Sequence, residues 1–170
     1  GSIYGILGPN GLPVTSERVR MEKLMRFNPL KGWTPDVLTR QLEGWARGEI
    51  KDLAWVMEWL EAHDDTIAAV APKAKAAVSR QGYDVLVRDE TPAGFEQVAE
   101  DQRGELQRFY DSIECGHAID ADVRGGMRLL VSQVMDGYGK GAATHHLVWH
   151  PDPAGLRLRA IMVPLWFWEA

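Results

Sequence analysis

RFNPLKGWTPDVLTRQLEGWARGEIKDLAWVMEWLEAHDD, residues 26–65, is the stretch whose reading decides how this chain folds. Arg26-Phe27-Asn28-Pro29 is extended, because the residue before a proline is pushed out of the α region. Gly32 permits a turn, and Thr34-Pro35-Asp36 opens a helix. It supplies a hydroxyl cap, a proline at the first helical position, and an acid at the positive end of the helix dipole. Val37, Leu38, Leu42, Trp45 and Ala46 then recur on one helical face. Gly48 and Glu49 interrupt, a second helix carries Leu53, Val56, Met57 and Leu60, and Asp64 or Asp65 can cap a third. The result is a helical hairpin with one apolar side that needs a cover.

Upstream, Tyr4–Leu7 and Leu12–Thr15 flank the turn Gly8-Pro9-Asn10-Gly11, and Asn-Gly favours a hairpin. Residues 1–25 therefore read as a hairpin arm and a polar connector. Downstream, Asp65–Arg80 is an alanine-rich helix that Pro72 should kink or restart and that Gly82 should stop in the left-handed conformation. Its Lys73, Lys75 and Arg80 are read as a solvated basic face, since no aromatic platform for nucleic acid is interleaved. Tyr83–Val87 alternates as a strand does. Phe95–Ile113 returns to helical spacing, and a further helix, capped by Asp120 or Asp122, runs through Met127, Leu130, Val131, Val134 and Met135 to end at Gly137 and Gly139. Ala142–Trp149 and Leu156–Val163 form a hairpin around a turn at 150–155. These elements predict an α+β fold: a helical N-terminal portion packed on a small, mostly antiparallel sheet of Tyr83–Val87 and the Ala142–Val163 hairpin.

The totals bound the function. A chain of 170 residues with 45% hydrophobic and 25% charged residues is long enough to bury a core, and residues 26–170 read as one domain. A net charge of −5 makes the chain a poor nonspecific ligand for nucleic acid. Cys115 is alone, which excludes an internal disulfide framework and suits a reducing compartment. No apolar run approaches the ~20 residues that span a bilayer, so no membrane partner is expected. Gly1-Ser2 reads as what remains after tag removal, and the chain is expected to be cut from a longer gene product.

No constellation carries a catalytic signature. His145, His146 and His150 are the only metal-like cluster, yet strand alternation puts His145 on the opposite face from the other two. His146 and His150 would stand about 13 Å apart along a strand, too far for one ion. Gly137, Gly139 and Gly141 follow a helix and precede a strand, the reverse of the order a phosphate loop needs. Cys115 beside His117 lacks an orienting third group and reads as a small buried thiol. Glu58, Glu61, Asp64 and Asp65 read as a solvated helix end with its cap. No catalytic, cofactor-binding or metal residue is therefore assigned, and no cofactor is expected. Seven tryptophans are more than a core of this size needs, and aromatic side chains are enriched at interfaces. Trp55, Trp59, Trp166, Phe167 and Trp168 are the candidate subunit or partner interface.

Two sets of residues share a wording: Arg26, Asn28, Pro29, Leu30, Gly32, Thr34, Pro35, Gly48, Asp64 and the run Ala68–Val78 form the first. Gly137-Tyr138-Gly139-Lys140-Gly141 leading to Leu147-Val148-Trp149, then Pro164-Leu165-Trp166-Phe167, form the second. This wording resembles that of the Mu-like phage portal proteins. His145 and His146 depart from it, standing where the family commonly has an acid. The resemblance implies a subunit of the ring at one capsid vertex, the conduit for double-stranded DNA, with no sequence-specific grip on it. It implies self-association into that ring, docking of terminase and head-completion proteins, no enzymatic step, and location in the virion and, during assembly, the host cytoplasm. It also implies that these residues are the N-terminal part of a longer chain, without the helices that line the channel; the 170 residues alone are not expected to close a ring. Two other readings stand beside it: a stand-alone adaptor that binds protein through its tryptophan-rich surface, and an enzyme built on the histidines or Cys115.

Overall fold

The computed structural model describes residues 27–88, 92–153 and 155–168, so the expected arm and connector at residues 1–25 lie outside them. Six helices are described: α1 (Pro35–Ala46), α2 (Lys51–His63), α3 (Asp65–Ser79), α4 (Glu96–Asp111), α5 (Met127–Val134) and α6 (Asp136–Lys140). The strands are β1 (Glu114–His117), β2 (Arg124–Gly125), β3 (Thr144–Asp152) and β4 (Gly155–Val163), and a 3-10 turn at Leu165–Phe167 follows. The fold is α+β: four helices precede a four-stranded sheet, and α5 and α6 lie between its second and third strands in the chain.

The local signals explain the helix starts. Thr34 Oγ1 accepts from Val37 N, with Pro35 in the first turn. Asp64 Oδ1 accepts from Thr66 N and Ile67 N, so a single residue separates α2 from α3 and folds them back on one another. Gly48 turns the chain between α1 and α2 with φ +95°. The core takes Leu53, Ala54 and Val56 from α2 and leaves Leu38 and Leu42 of α1 exposed.

The sheet order is β2-β1-β4-β3. β3 and β4 pair antiparallel from Thr144↔Val163 to Asp152↔Gly155, and β1 lies parallel to β4 with Cys115 opposite Ala160. This corrects the expected sheet. Tyr83–Val87 is no strand; it is tied to α4 instead, with Gln107 Oε1 accepting from Val85 N at 3.0 Å and Asp111 accepting from the Tyr83 hydroxyl. Side chains of α4 have replaced the ladder partner that a strand would have required. Its place is taken by Glu114–His117, too short for alternation to show, and the long excursion through α5 and α6 makes a parallel pair possible. Pro151 is accommodated inside β3 because β3 is an edge strand.

Three helix ends also differ from expectation. α3 runs unbroken through Pro72; Pro72 and Ala68 are both exposed, so the carbonyl left without a partner can be hydrated. It ends at Arg80 in the right-handed region, and Gly82 has no positive φ. α6 continues past Gly137 and Gly139 and stops at Gly141, whose φ of +78° is a left-handed cap. Asp120 and Asp122 do not cap α5, which starts after Gly126; Asp120 instead accepts from Asp122 N within its own loop.

One face of the sheet carries Ile161 and Val163, which pack with Ala118, Ile119, Val148 and the closing Trp166, Phe167 and Trp168. The other carries Cys115, His145 and Trp149, against which α5 and the end of α4 are laid; Phe109 stacks on Trp149 with centroids 6.0 Å apart.

Candidate functional site

The candidate interface aromatics gather where α2 meets the closing 3-10 turn. Trp55 meets Trp166 edge to face with centroids 5.5 Å apart, and Trp166 meets Phe167 at 5.8 Å. Trp168 Nε1 donates to Thr144 Oγ1 at 2.8 Å, and that hydroxyl donates to Val163 O, closing the C-terminal segment onto β3 and β4. One turn along α2, Trp59 stacks on His63 at 4.4 Å, while His63 Nδ1 donates to Trp59 O. All five candidates are half-buried, so each spends part of its ring inside the fold and presents the rest. The buried indole N–H groups of Trp59 and Trp166 have no acceptor among the described residues.

Beside this cluster lies a feature that sequence reasoning missed. Lys140 Nζ sits 2.9 Å from Glu58 Oε1, 2.8 Å from Glu61 Oε2 and 3.4 Å from Asp136 Oδ2. Lys75 pairs with Glu61 and Asp136. Three carboxylates and two ammonium groups thus join α2, α3 and α6, with Lys140 and Asp136 buried. Glu58 and Glu61 are therefore not a solvated helix end. Burial alone would lower the Lys140 and Lys75 pKa values, but the surrounding carboxylates outweigh it and raise both above the ordinary lysine value. Burial likewise works to raise that of Glu61, and its bonds to Lys140 and Lys75 overcome this and lower it. All three shifts favour the charged forms, so the network is an ionic clamp. The sequence held one trace of it, Asp136 and Lys140 four apart in a glycine-rich helix.

A second polar knot lies between α5 and the sheet. The Cys115 thiol donates to Gln133 Oε1 at 2.8 Å, Gln133 Nε2 donates to Gly116 O at 3.1 Å, and His145 Nε2 lies 3.2 Å from Gln133 Oε1. Burial pushes the thiol up to about 11, which leaves it a poor nucleophile at neutral pH. His117 Nδ1 accepts from both Ile119 N and Asp120 N, pinning the loop after β1, and burial lowers its pKa. Burial also lowers that of His145. The strand register puts His146 and His150 on one face and His145 on the other. Among the described residues, no group of three or more His, Cys, Asp and Glu side chains is placed to hold a metal ion. No described helix is long and apolar enough to cross a membrane.

α2, α3 and α6 also border an open groove of about 280 Å³, lined by Met57, Leu60, Ile67, Ala71, Ala74 and Met135 together with most of the ionic clamp. Taken together, the site is a set of packed aromatics, a buried ion cluster and an apolar groove, an arrangement suited to holding surfaces together.

The sequence model of one family, described as the portal protein of Mu bacteriophage, matches residues 54–170, well over half of the chain. The chain belongs to that family of phage portal proteins. The match begins within α2 and runs through the sheet and the closing turn, so the wording at Arg26–Gly48 lies outside it, while Asp64, Ala68–Val78 and the glycine-to-tryptophan segment lie inside. No curated protein matches the chain. Portal proteins of phage are structural components of the virion.

Proposed function

We propose that this chain is part of a subunit that assembles with copies of itself into the portal ring at a capsid vertex. Double-stranded DNA enters and leaves through the ring, and terminase and head-completion proteins dock on it. The family match across α2 to the closing turn is the observation that carries this reading. The net charge of −5 is compatible with a conduit that does not grip DNA, since an acidic chain is a poor nonspecific ligand for phosphate. The ionic clamp suits a structural part, because its charge-assisted bonds fix α2, α3 and α6 in one mutual geometry. Chemistry would lie with the motor, and this chain would contribute no catalytic group. Assembly takes place in the host cytoplasm. The exposed parts of Trp55, Trp59, Trp166, Phe167 and Trp168 form the contact with a neighbouring subunit or head-completion protein.

The test is genetic. Deleting the gene from its phage or prophage should leave heads without DNA, and supplying the gene in trans should restore filling. Filled heads in the deletion would refute the proposal.

A further inference from the structure

Two stretches of the described chain offer main-chain hydrogen-bonding groups to no strand. The first is the outer edge of β3, the last strand in the order β2-β1-β4-β3. Met162 O accepts from Ala118 N on the β1 side of β4, so Met162 turns its main chain away from His145, its partner on β3. Antiparallel pairs alternate between bonded and unbonded, so His145, Leu147, Trp149 and Pro151 all point their main chains outward. Pro151, which has no N–H, falls in that outward set, where it removes no bond from the ladder. Exposed edges are commonly guarded by charge. Residues 144–151 carry no Asp, Glu, Lys or Arg, and Leu147 and Trp149 are about half exposed.

The second stretch is Tyr83–Arg88, which runs without a turn or bend. Val85 N donates to Gln107 Oε1 and the Tyr83 hydroxyl donates to Asp111, so one edge and one face of this segment belong to α4. Along an extended chain, neighbouring residues point their N–H and C=O groups to opposite edges. Asp84 and Leu86 therefore turn theirs away from α4, and neither has a partner among the described residues. Leu86 is also 83% exposed. The alternation that predicts a strand here belongs to a segment with one edge filled and the other open. Each copy thus carries one open edge of either kind, and a closed row of copies pairs all of them.

Packing selects the orientation. In an antiparallel addition the outward residues of both strands stand opposite one another, so Leu86 shares the sheet face of Leu147 and Trp149. The donor's α4, on the side of Tyr83 and Val85, then lies on the opposite face from the acceptor's α5 and α4. In a parallel addition a bonded residue stands opposite an unbonded one, as Gly116 does to Ile161. That turns the donor over and drives its α4 into the helices of the acceptor. With Leu86 opposite Leu147, Val85 meets Val148, Asp84 meets Trp149, Arg88 meets His145, and no like charges are opposed.

We infer that Tyr83–Arg88 of one copy adds antiparallel to the β3 edge of the next copy as a further strand of its sheet, with Leu86 opposite Leu147. Such strand addition draws its affinity from main-chain bonds. Donor and acceptor differ, so the contact is heterologous, the kind that propagates head to tail and closes into a ring when the rotation permits. The inference rests on the reading of the chain as a ring subunit and adds a main-chain contact to its tryptophan surface.

The experiment places Leu86→Cys and Leu147→Cys in separate preparations of the full chain, both at exposed positions, with buried Cys115 left in place. Opposed residues of a bonded antiparallel pair stand about 5.5 Å apart at Cα, within the reach of a disulfide. Equimolar chains are equilibrated in a glutathione buffer and the linked dimers are identified by mass. The mixed Leu86→Cys/Leu147→Cys dimer should exceed its statistical share several-fold, while Leu86→Cys with Leu156→Cys, exposed at the start of β4, should not. Asp84→Pro in the Leu86→Cys chain removes an N–H that faces the partner and should cut the mixed yield several-fold. Asp84→Ala keeps that N–H and should leave the yield unchanged. A statistical mixture, a preference for Leu86→Cys with itself, or equal yields from Asp84→Pro and Asp84→Ala overturns the inference. Imaging of the whole gene product separates this from failure of the ring reading. Rings formed without the mixed disulfide remove this contact and leave the ring, whereas the mixed disulfide in a product that never closes keeps the contact and removes the ring.

Discussion

Substituting Lys140 by methionine should be among the most damaging single changes in this chain. Lys140 is 7% exposed and stands between Glu58, Glu61 and Asp136. Methionine keeps most of the stem and removes the charge, so the main effect is to strand three carboxylates around Lys75 alone. Removing one partner of a buried ion cluster costs about 3–5 kcal/mol, because the remaining charges stay desolvated without compensation. Glu58 and Glu61 are 23% and 21% exposed at their side chains and can recover some hydration, which places the expected loss near the lower end, about 3–4 kcal/mol. For a chain of this size each kcal/mol moves Tm by roughly 2–4 °C, so a fall of about 6–16 °C is expected. Acid should narrow the difference. In the native protein the lowered Glu61 pKa contributes stability that is present above its unfolded value and lost as pH falls through the folded one. In Lys140→Met the crowded carboxylates repel, so protonating them relieves the variant. Urea unfolding of both proteins at neutral pH and at about pH 4 measures both effects. A loss below about 1 kcal/mol at neutral pH, the scale of a surface ion pair, would refute the clamp.

Gln133→Leu should cost about 2–3 kcal/mol in the same assay, since the Cys115 thiol, the Gly116 carbonyl and His145 would each lose a buried partner. The lowered pKa values of His117 and His145 mean that the unfolded chain takes up protons near 6.5 before the folded one does. The stability they contribute is therefore present above that pH and is lost as pH falls through the folded values. The urea midpoint should drop between about pH 7.5 and about 5.5, and His145→Asn should weaken that dependence. Cys115, with its thiol near 11, should resist iodoacetamide at about pH 8 while the protein is folded and react once it is unfolded in urea; equal rates would refute its burial.

Which parts were legible follows from how local their causes are. Thr34-Pro35-Asp36 and Asp64 declare helix starts because the cap, the proline and the first-turn acid act within four residues. The β3–β4 hairpin was legible from its alternation, although the strands run closer to the turn than the composition of 150–155 implied. β1 was not, since four residues, one of them Gly116, carry no period and pair only because β4 returns beside them from far along the chain. Tyr83–Val87 alternates like a strand yet bonds to Gln107 and Asp111, a choice made by the position of α4. The site divides in the same way. Tryptophan content pointed to Trp55, Trp59 and Trp166, but the pairing of Trp55 with Trp166 joins residues far apart in sequence. The clamp was invisible for a related reason: Glu58 and Lys140 are 82 positions apart, and nothing around either one announces its partner.

The most direct test of the central claim is negative-stain imaging, with light scattering, of the whole gene product that carries this chain. The account predicts closed rings with a central hole and a mass many times that of the subunit. A monodisperse monomer or dimer under the same conditions would contradict it.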